Sequence, residues 1–197
     1  MNTSTLISMG IFALVASLTP GPVNLVGVRC GAQFGLKTGL MFVTGATLGF
    51  VALFVMIGLG MHQLISHIDG LLPLIKAAGV LFLIYLSIKI WQDDGRTEAG
   101  STAKKPTAFL GALMQWLNPK AWLASISGIA AFSAEGGSHA LWVFSLIYLV
   151  VCWLSLNCWV VAGISLRSKL SNPSQIQRLN RILAIALLAS CLAIALD

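Results

Sequence analysis

The chain has 197 residues, of which 57% are hydrophobic and only 9% are charged, and its formal net charge is +6. Soluble domains carry roughly 25% charged residues, so a water-soluble fold of this composition would be difficult to keep dispersed. Several apolar stretches reach the roughly 20 residues that an α-helix needs to cross a bilayer. The composition therefore excludes an ordinary soluble domain and predicts an all-α integral membrane protein, whose positive charge serves membrane topology and not nucleic-acid binding.

Six transmembrane helices are predicted, each dominated by Leu, Ile, Val, Phe, Ala and Gly. They are expected at residues 4–27, 37–61, 72–91, 108–132, 139–166 and about 177–196, with the first and the fourth interrupted. The polar stretch between the third and the fourth predicts a flexible cytoplasmic linker.

This organisation predicts a single transmembrane domain over residues 1–197. Its first repeat covers about 1–91, the linker about 92–107, and the second repeat about 108–197. Each half has an odd number of helices, so the two halves cross the membrane in opposite orientations. We therefore expect two inverted three-helix repeats, a common plan among secondary transporters.

Lysine and arginine fall in alternate connections between the predicted helices. The basic connections contain Arg29 and Lys37; Lys89, Arg96, Lys104 and Lys105; and Arg167, Lys169, Arg178 and Arg181. The other two connections contain only His62, His67 and Asp69, and then Glu135 and His139. Because basic loops stay in the cytoplasm, this pattern predicts a multi-pass protein with both termini outside.

Prolines interrupt the first and the fourth helices at corresponding places in the two halves. The residues concerned are Thr19, Pro20, Gly21, Pro22 and Asn24 in the first, and Asn118, Pro119 and Lys120 in the fourth. Each proline removes a backbone N–H and clashes with a carbonyl one turn earlier. Such breaks are tolerated at membrane depth only inside protein or beside a polar cavity. The pair predicts a central transport site, with packing kinks as the alternative.

A broken helix exposes N–H groups with partial positive charge and carbonyls with partial negative charge. An amino-acid zwitterion needs both. Its carboxylate is expected at the helix starts after Pro22 and Pro119, with Lys120 adding a full charge. Its ammonium is expected on freed carbonyls and on the side-chain oxygens of Thr19, Asn24 and Asn118. The alternative for Lys120 is pairing with bare carbonyls at the break.

Two further groups of residues have weaker signals. Asn157 lies within the fifth predicted helix and either lines the pathway or hydrogen-bonds a neighbouring helix. Gly35, Gly39, Gly45 and Gly49 are small residues spaced by four, and close helix packing explains them better than substrate contact.

The predicted helices contain no carboxylate. The acidic residues, Asp69, Asp93, Asp94, Glu98, Glu135 and Asp197, all lie in connections or at the terminus. A second buried cation would lack an anionic partner, which disfavours lysine, arginine or metal ions as substrates and favours a neutral amino acid. Proton coupling would then have to run through Lys120, a histidine near a helix end, or bound water.

Neither a cofactor nor an enzymatic activity is predicted. Cys30, Cys152, Cys158 and Cys191 show no spacing typical of a zinc or redox site. The sequence also has no HExxH, no phosphate-binding GxxxxGK[ST] and no GxSxG motif. No metal site is expected.

At the two interruptions the sequence resembles the lysine/threonine exporter (LysE/RhtB) superfamily, whose first helix ends in a TPGP-Asn motif and whose fourth carries Asn-Pro-Lys. The likeness covers nearly the whole chain. Leu48-Gly49-Phe50 and Asn157-Cys158-Trp159 look most like the cysteine/O-acetylserine exporter branch. Many members have an Asp at the position of Phe50 and a second Asn at that of Val23, so no cation-binding acid is carried over.

The resemblance implies proton-driven efflux of amino acids or their derivatives across the bacterial cytoplasmic (inner) membrane. We therefore expect a secondary transporter, working by antiport, for small neutral substrates of the cysteine/O-acetylserine or threonine/homoserine type. Its expected partners are the amino acid, protons and membrane lipids, with a homodimer as an open alternative to a monomer. A passive channel for small solutes and a membrane scaffold protein are the alternative functions.

Overall fold

The computed structural model describes residues 2–61, 71–92, 105–132, 137–167 and 172–196. The α-helices are α1 (Thr3–Leu18), α2 (Pro22–Arg29), α3 (Gly35–Met56), α4 (Leu71–Trp91), α5 (Ala108–Trp116), α6 (Pro119–Phe132), α7 (Gly137–Arg167) and α8 (Pro173–Leu196). π-helical turns at Cys30–Phe34 and Ile57–Met61 follow α2 and α3. No β-strand occurs in these ranges, which confirms the all-α prediction for the described part.

Within the described residues, two helical stretches, Pro22–Gly60 and Ser138–Arg167, are long and apolar enough to cross a membrane, judged by length and composition. The first of them turns at Gly35, whose φ of +79° is a conformation that other residues rarely adopt. Two shorter apolar helical stretches are Thr3–Leu18, which is α1, and Ala77–Trp91, which lies within α4.

Large apolar side chains also cover much of the outer surface. Ile11 on α1, Leu81 on α4 and Ile182 on α8 are exposed, and Phe109 on α5 is 76% exposed. Exposed apolar surface spread over several helices is costly in water and favourable in lipid.

The chain leaves helical geometry between Leu18 and Pro22 and again between Trp116 and Pro119. In both places a proline occupies the first position of the following helix. There its missing N–H breaks no intrahelical hydrogen bond and its fixed φ suits the helix. The prolines thus set where α2 and α6 begin.

Helix packing brings distant parts of the chain together. Both α1 and α2 pack against α7, α3 packs against α5 and α7, and α4 packs against α8. At the contact of α3 with α5, a Cβ on Gly45 would overlap the backbone of Ala108, and one on Gly111 would overlap that of Phe42. The two backbones therefore touch, as small residues permit.

The predicted packing role holds for three of the four spaced glycines. A Cβ on Gly39 would overlap Val160, and one on Gly49 would lie 2.6 Å from the Cα of Ala112. Gly35 differs, because a Cβ there would meet nothing within 4 Å. Its positive φ, and not close packing, explains why glycine occupies that turn.

An aromatic cluster fills the space between α1, α3, α6 and α7. Phe54 contacts Phe144 at a ring-centroid distance of 5.1 Å, and Phe12 contacts Phe132 at 5.8 Å. Tyr148 contacts Phe50 at 4.6 Å. These tilted and edge-to-face arrangements are the favourable ones for aromatic pairs, so the cluster fixes the relative positions of the four helices.

One predicted boundary needs correction. Arg29 was placed in a connection, but it is the last residue of α2, and the helical path continues through Cys30–Phe34. Its side chain is only 7% exposed, and its guanidinium carbon lies 5.4 Å from the ring centroid of Phe34. Lys37, in contrast, is exposed in the first turn of α3. The aromatic contact explains how a basic residue is accommodated within the helical path.

Several sequence predictions lie outside the described residues. They include most of the linker, residues 93–104, and the connections at 62–70, 133–136 and 168–171.

Candidate functional site

The two proline-containing interruptions lie side by side. The Lys120 ammonium, at the start of α6, donates a hydrogen bond of 2.7 Å to the backbone carbonyl of Thr19, which follows α1. This is the contact with a freed carbonyl that was the alternative for Lys120. An ammonium has three donors, so this bond leaves donor capacity for a ligand.

The start of α2 carries no side-chain cap. Gly21, the residue before Pro22, is extended, with φ −165° and ψ 179°. The carbonyl of Gly21 accepts from the N–H of Leu25 at 3.1 Å, but the N–H groups of Val23 and Asn24 have no hydrogen-bond partner among the described residues. Two donors with partial positive charge are therefore available here.

The side chain of Asn24 ties α2 back to α1. Its Nδ2 donates to the carbonyl of Ser17 at 3.0 Å, and the residue is buried. This bond satisfies a carbonyl in the last turn of α1 and fixes the orientation of the Asn24 amide.

The start of α6 is capped, in contrast to that of α2. The Oδ1 of Asn118 accepts from the N–H of Lys120 at 3.2 Å, and its Nδ2 donates to Oε1 of Gln115 at 3.4 Å. The carbonyl of Asn118 accepts from the N–H of Ala121 at 2.9 Å. The sequence-based prediction treated both helix starts alike, but Asn118 already satisfies the donors of α6.

A partly enclosed cavity lies beside the two helix starts. The space in it that the centres of water-sized spheres can reach is about 40 Å³. One water needs roughly 10–15 Å³ on that scale, so the cavity has room for a few waters or a small polar group. Its polar lining residues are Ser17, Asn24, Gln115, Asn118, Lys120 and Tyr148. Neither Asp nor Glu is among the lining residues.

The structure brings four of the predicted site residues to the cavity, namely Gly21, Asn24, Asn118 and Lys120. The other residues of the two breaks are adjacent to it. Thr19 supplies the carbonyl that binds Lys120, while its hydroxyl donates to the carbonyl of Val15. Pro22 and Pro119 begin the two helices, and Pro20 is exposed between α1 and α2.

Asn157, the predicted site residue outside the two breaks, does not line the cavity. Its Nδ2 donates to the carbonyl of Trp153, one turn earlier in the same helix, at 2.8 Å. The neighbouring residue Leu156 lines the cavity instead. The Oδ1 of Asn157 is buried and has no hydrogen-bond partner among the described residues, so both roles of Asn157 stay predictions.

Sequence reasoning missed several lining residues. Ser17 and Gln115 are buried polar residues close to the breaks, and their position in otherwise apolar helices is a signal that could have identified them. Phe50 and Tyr148 also line the cavity. Aromatic residues in apolar helices are indistinguishable by pattern from core or lipid-facing residues, so the sequence held no signal for them.

Apolar helices that surround a polar cavity at two adjoining helix starts define a class of protein, the membrane translocators. The chain belongs to the LysE type translocator family, whose sequence model matches residues 14–197. The resemblance to the LysE/RhtB superfamily is thereby confirmed.

Three proteins similar to this chain share one name. The chain is similar to the cysteine/O-acetylserine efflux protein of Klebsiella pneumoniae subsp. pneumoniae, with 27% identity over 165 residues, which cover 82% of this chain and 83% of the relative. It is 24% identical over 166 residues to the protein of that name from Escherichia coli strain K12, covering 83% and 84% of the two chains. The Salmonella typhimurium protein of that name is 23% identical over 167 residues, with the same coverage. No solved structure matches the chain.

Proposed function

We propose that this membrane protein is a secondary transporter that exports small neutral amino acids or their derivatives across the bacterial inner membrane. Substrates of the cysteine/O-acetylserine or threonine/homoserine type fit best. Membership of a translocator family and the names of the relatives support amino-acid efflux. The observation that carries the proposal is the uncapped start of α2 beside Lys120, with both at one cavity.

The substrate carboxylate binds at the start of α2. The N–H groups of Val23 and Asn24 point to this end of the helix, where the helix dipole favours an anion. Lys120 adds a full positive charge and two further donors. The capped start of α6 does not bind the carboxylate directly, so one helix start, that of α2, holds it.

The substrate ammonium binds to oxygen atoms on the cavity wall. Gln115 and Asn118 line the cavity, and each of their side-chain oxygens accepts one hydrogen bond within the protein. An amide oxygen has two lone pairs, so each can accept one more bond. The Asn24 amide lies on the same wall.

The absence of acid from the cavity lining favours a neutral substrate. The carboxylate of the substrate balances Lys120, and its ammonium is held by neutral oxygens. A cationic side chain would add a second charge with no anionic partner in the lining, which costs several kcal/mol. The described lining therefore disfavours lysine and arginine as substrates.

Alternating access fits the position of the Lys120 contact, and the family resemblance adds proton-driven antiport to the proposal. Thr19 belongs to the first half of the chain and Lys120 to the second, so their hydrogen bond joins the halves beside the cavity. If the halves rock around a central site, this bond forms and breaks with each cycle, and substrate binding competes for its ammonium.

Substitution of Gly21 by alanine tests the site without disturbing the fold. The extended backbone of Gly21 suits any residue, and a Cβ there would lie 3.6 Å from both Oδ1 of Asn24 and Nζ of Lys120. The methyl group would thus fit sterically and fill space that the carboxylate needs. Gly10→Ala is the matched control, since a Cβ there meets nothing within 4 Å.

The measurement is the thermal stabilisation of purified wild type, Gly21→Ala and Gly10→Ala by cysteine, O-acetylserine and threonine. We expect similar melting temperatures without ligand. Ligand should stabilise wild type and Gly10→Ala, whereas Gly21→Ala should bind at least about tenfold more weakly, a loss of roughly 1.4 kcal/mol. Equal stabilisation of all three proteins would refute the site.

Transport against a gradient separates this function from its two alternatives. In proteoliposomes with an imposed proton gradient, a transporter concentrates the amino acid, whereas a channel only equilibrates it. A scaffold protein does neither and gains no stability from amino acids.

A further inference from the structure

Tyr148 lines the cavity and carries a buried hydroxyl that forms no hydrogen bond among the described residues. Its side chain is only 1% exposed. Buried tyrosine hydroxyls usually find a partner, because a buried group that forms no hydrogen bond loses its hydration without replacement. None of the residues predicted from sequence accounts for this group.

The ring that carries the hydroxyl is held in place. Its centroid lies 4.6 Å from that of Phe50, 5.2 Å from that of Phe144 and 5.3 Å from that of Phe54. Packing on several sides fixes the ring, and so presets the position of the hydroxyl.

Two other buried hydroxyls have partners, and the hydroxyl of Ser155, which has none among the described residues, does not line the cavity. Ser145, on the same helix, donates to the carbonyl of Leu141 at 2.8 Å, and Thr47 donates to the sulfur of Cys152 at 4.0 Å. Cys152 lines the cavity too. The Tyr148 hydroxyl therefore differs from these groups in being left for a ligand.

We propose that the Tyr148 hydroxyl selects the substrate by hydrogen-bonding an oxygen or sulfur atom on the β-carbon of the amino acid. This inference rests on the proposed function, in which the α2 start and Lys120 hold the α-carboxylate. The lining also includes apolar residues, among them Phe50, which contacts Tyr148, and Val23 and Leu156. It suits a short side chain with one polar atom.

Selection follows from the cost of leaving the hydroxyl unpaired. A thiol, hydroxyl or ester group on the β-carbon supplies its missing partner. An amino acid of the same shape with a methyl group at that position displaces water from the cavity and leaves the hydroxyl buried without a bond. Sites built around such a bond discriminate against analogues that lack the polar group.

The test compares ligands that differ in one group. Cysteine, serine and O-acetylserine carry sulfur or oxygen on the β-carbon, and 2-aminobutyrate carries a methyl group there. We expect purified wild-type protein to bind the best of the first three about tenfold or more tightly than 2-aminobutyrate, by calorimetry. Tyr148→Phe, which keeps the ring, should reduce that ratio to about twofold or less.

Ser145→Ala is the matched control. It removes a buried hydroxyl from the same helix, but one that bonds its own backbone, so the selectivity ratio should stay that of wild type. A wild-type protein that binds 2-aminobutyrate as well as the other ligands would overturn the role of Tyr148. So would a selectivity that persists in Tyr148→Phe.

These outcomes are distinct from failure of the proposed function. If wild type binds none of the four amino acids, both proposals fall. If it binds all four alike, the α-carboxylate site stands and only the selection by Tyr148 falls. A wild-type ratio near one overturns the role of Tyr148 without any variant, so the proposal can fail even where Tyr148→Phe expresses poorly.

Discussion

Lys120 connects the two breaks and faces the cavity. Its ammonium is bonded to the carbonyl of Thr19, a neutral partner that orients it without cancelling its charge. An unneutralised cation in an apolar protein is costly, and a ligand carboxylate would reduce that cost. Lys120 is therefore the residue on which binding should depend most.

Lys120→Ala is expected to abolish amino-acid export while the protein stays in the membrane, because the variant loses both the carboxylate partner and the bond to Thr19. Cellular efflux of labelled amino acid, normalised to the amount of protein in membranes, measures this. Lys37→Ala is the control, since Lys37 is exposed at the start of α3 and does not line the cavity. Near-normal export by a well-expressed Lys120→Ala protein would remove Lys120 from the mechanism.

The sequence predicts the cavity residues that belong to the two proline breaks. It does not predict the cavity residues that come from other parts of the chain. Gly21, Asn24, Asn118 and Lys120 follow from the two motifs. The sequence also contained a signal that α6 is capped and α2 is not. Asn before Pro is a typical N-cap, whereas Gly before Pro has no side chain that could cap the helix. Tyr148 had no such signal, since only tertiary packing places it beside residues far away in sequence.

At the scale of elements, α3 and α5 make a close backbone contact. Gly45 and Gly111 allow the two backbones to touch, and Trp116 donates from its indole Nε1 to the carbonyl of Gly49 at 3.0 Å. This contact holds α5, and through it the Gln115–Asn118 pair, against α3. It positions the cavity wall without contributing a ligand.

Gly45→Ala is expected to destabilise the protein by about 1–3 kcal/mol, the usual cost of overpacking. The added Cβ would overlap the backbone of Ala108, which cannot rotate away as a side chain would. Thermal unfolding in detergent measures this, and the melting temperature should fall by about 2–10 °C. Gly10→Ala should unfold like wild type, and an unchanged melting temperature for Gly45→Ala would contradict the packing assigned to this contact.

Most element boundaries were predictable, because prolines, apolar run lengths and polar stretches determine them. The predicted helix at 37–61, for example, agrees with helical structure over residues 35–61. The π-helical turn at Cys30–Phe34 was not predictable. It packs against α7, where Gly31 lies against the backbone of Val160, and it continues the helical path beyond Arg29.

At the scale of the whole molecule, the helix contacts are symmetric between the two halves, and we propose that the halves form an inverted repeat. In this arrangement, α1–α2 is the interrupted first helix of one half and α5–α6 is that of the other. Exchanging the two halves then turns the contact of α1–α2 with α7 into the contact of α5 with α3. The contacts of α3 with α7 and of α4 with α8 then join equivalent helices. This arrangement places the two breaks together at the centre, and we propose it together with six membrane crossings and outside termini.

The central claim is that one cavity offers opposite partial charges to the two ends of a zwitterion. Competition for the transport of labelled cysteine into proteoliposomes tests it most directly, with unlabelled cysteine, N-acetylcysteine and cysteine methyl ester as competitors. N-acetylcysteine lacks the ammonium, and the ester lacks the carboxylate. We expect unlabelled cysteine to compete and both analogues to compete at least about tenfold more weakly, whereas equal competition by either analogue would contradict the claim.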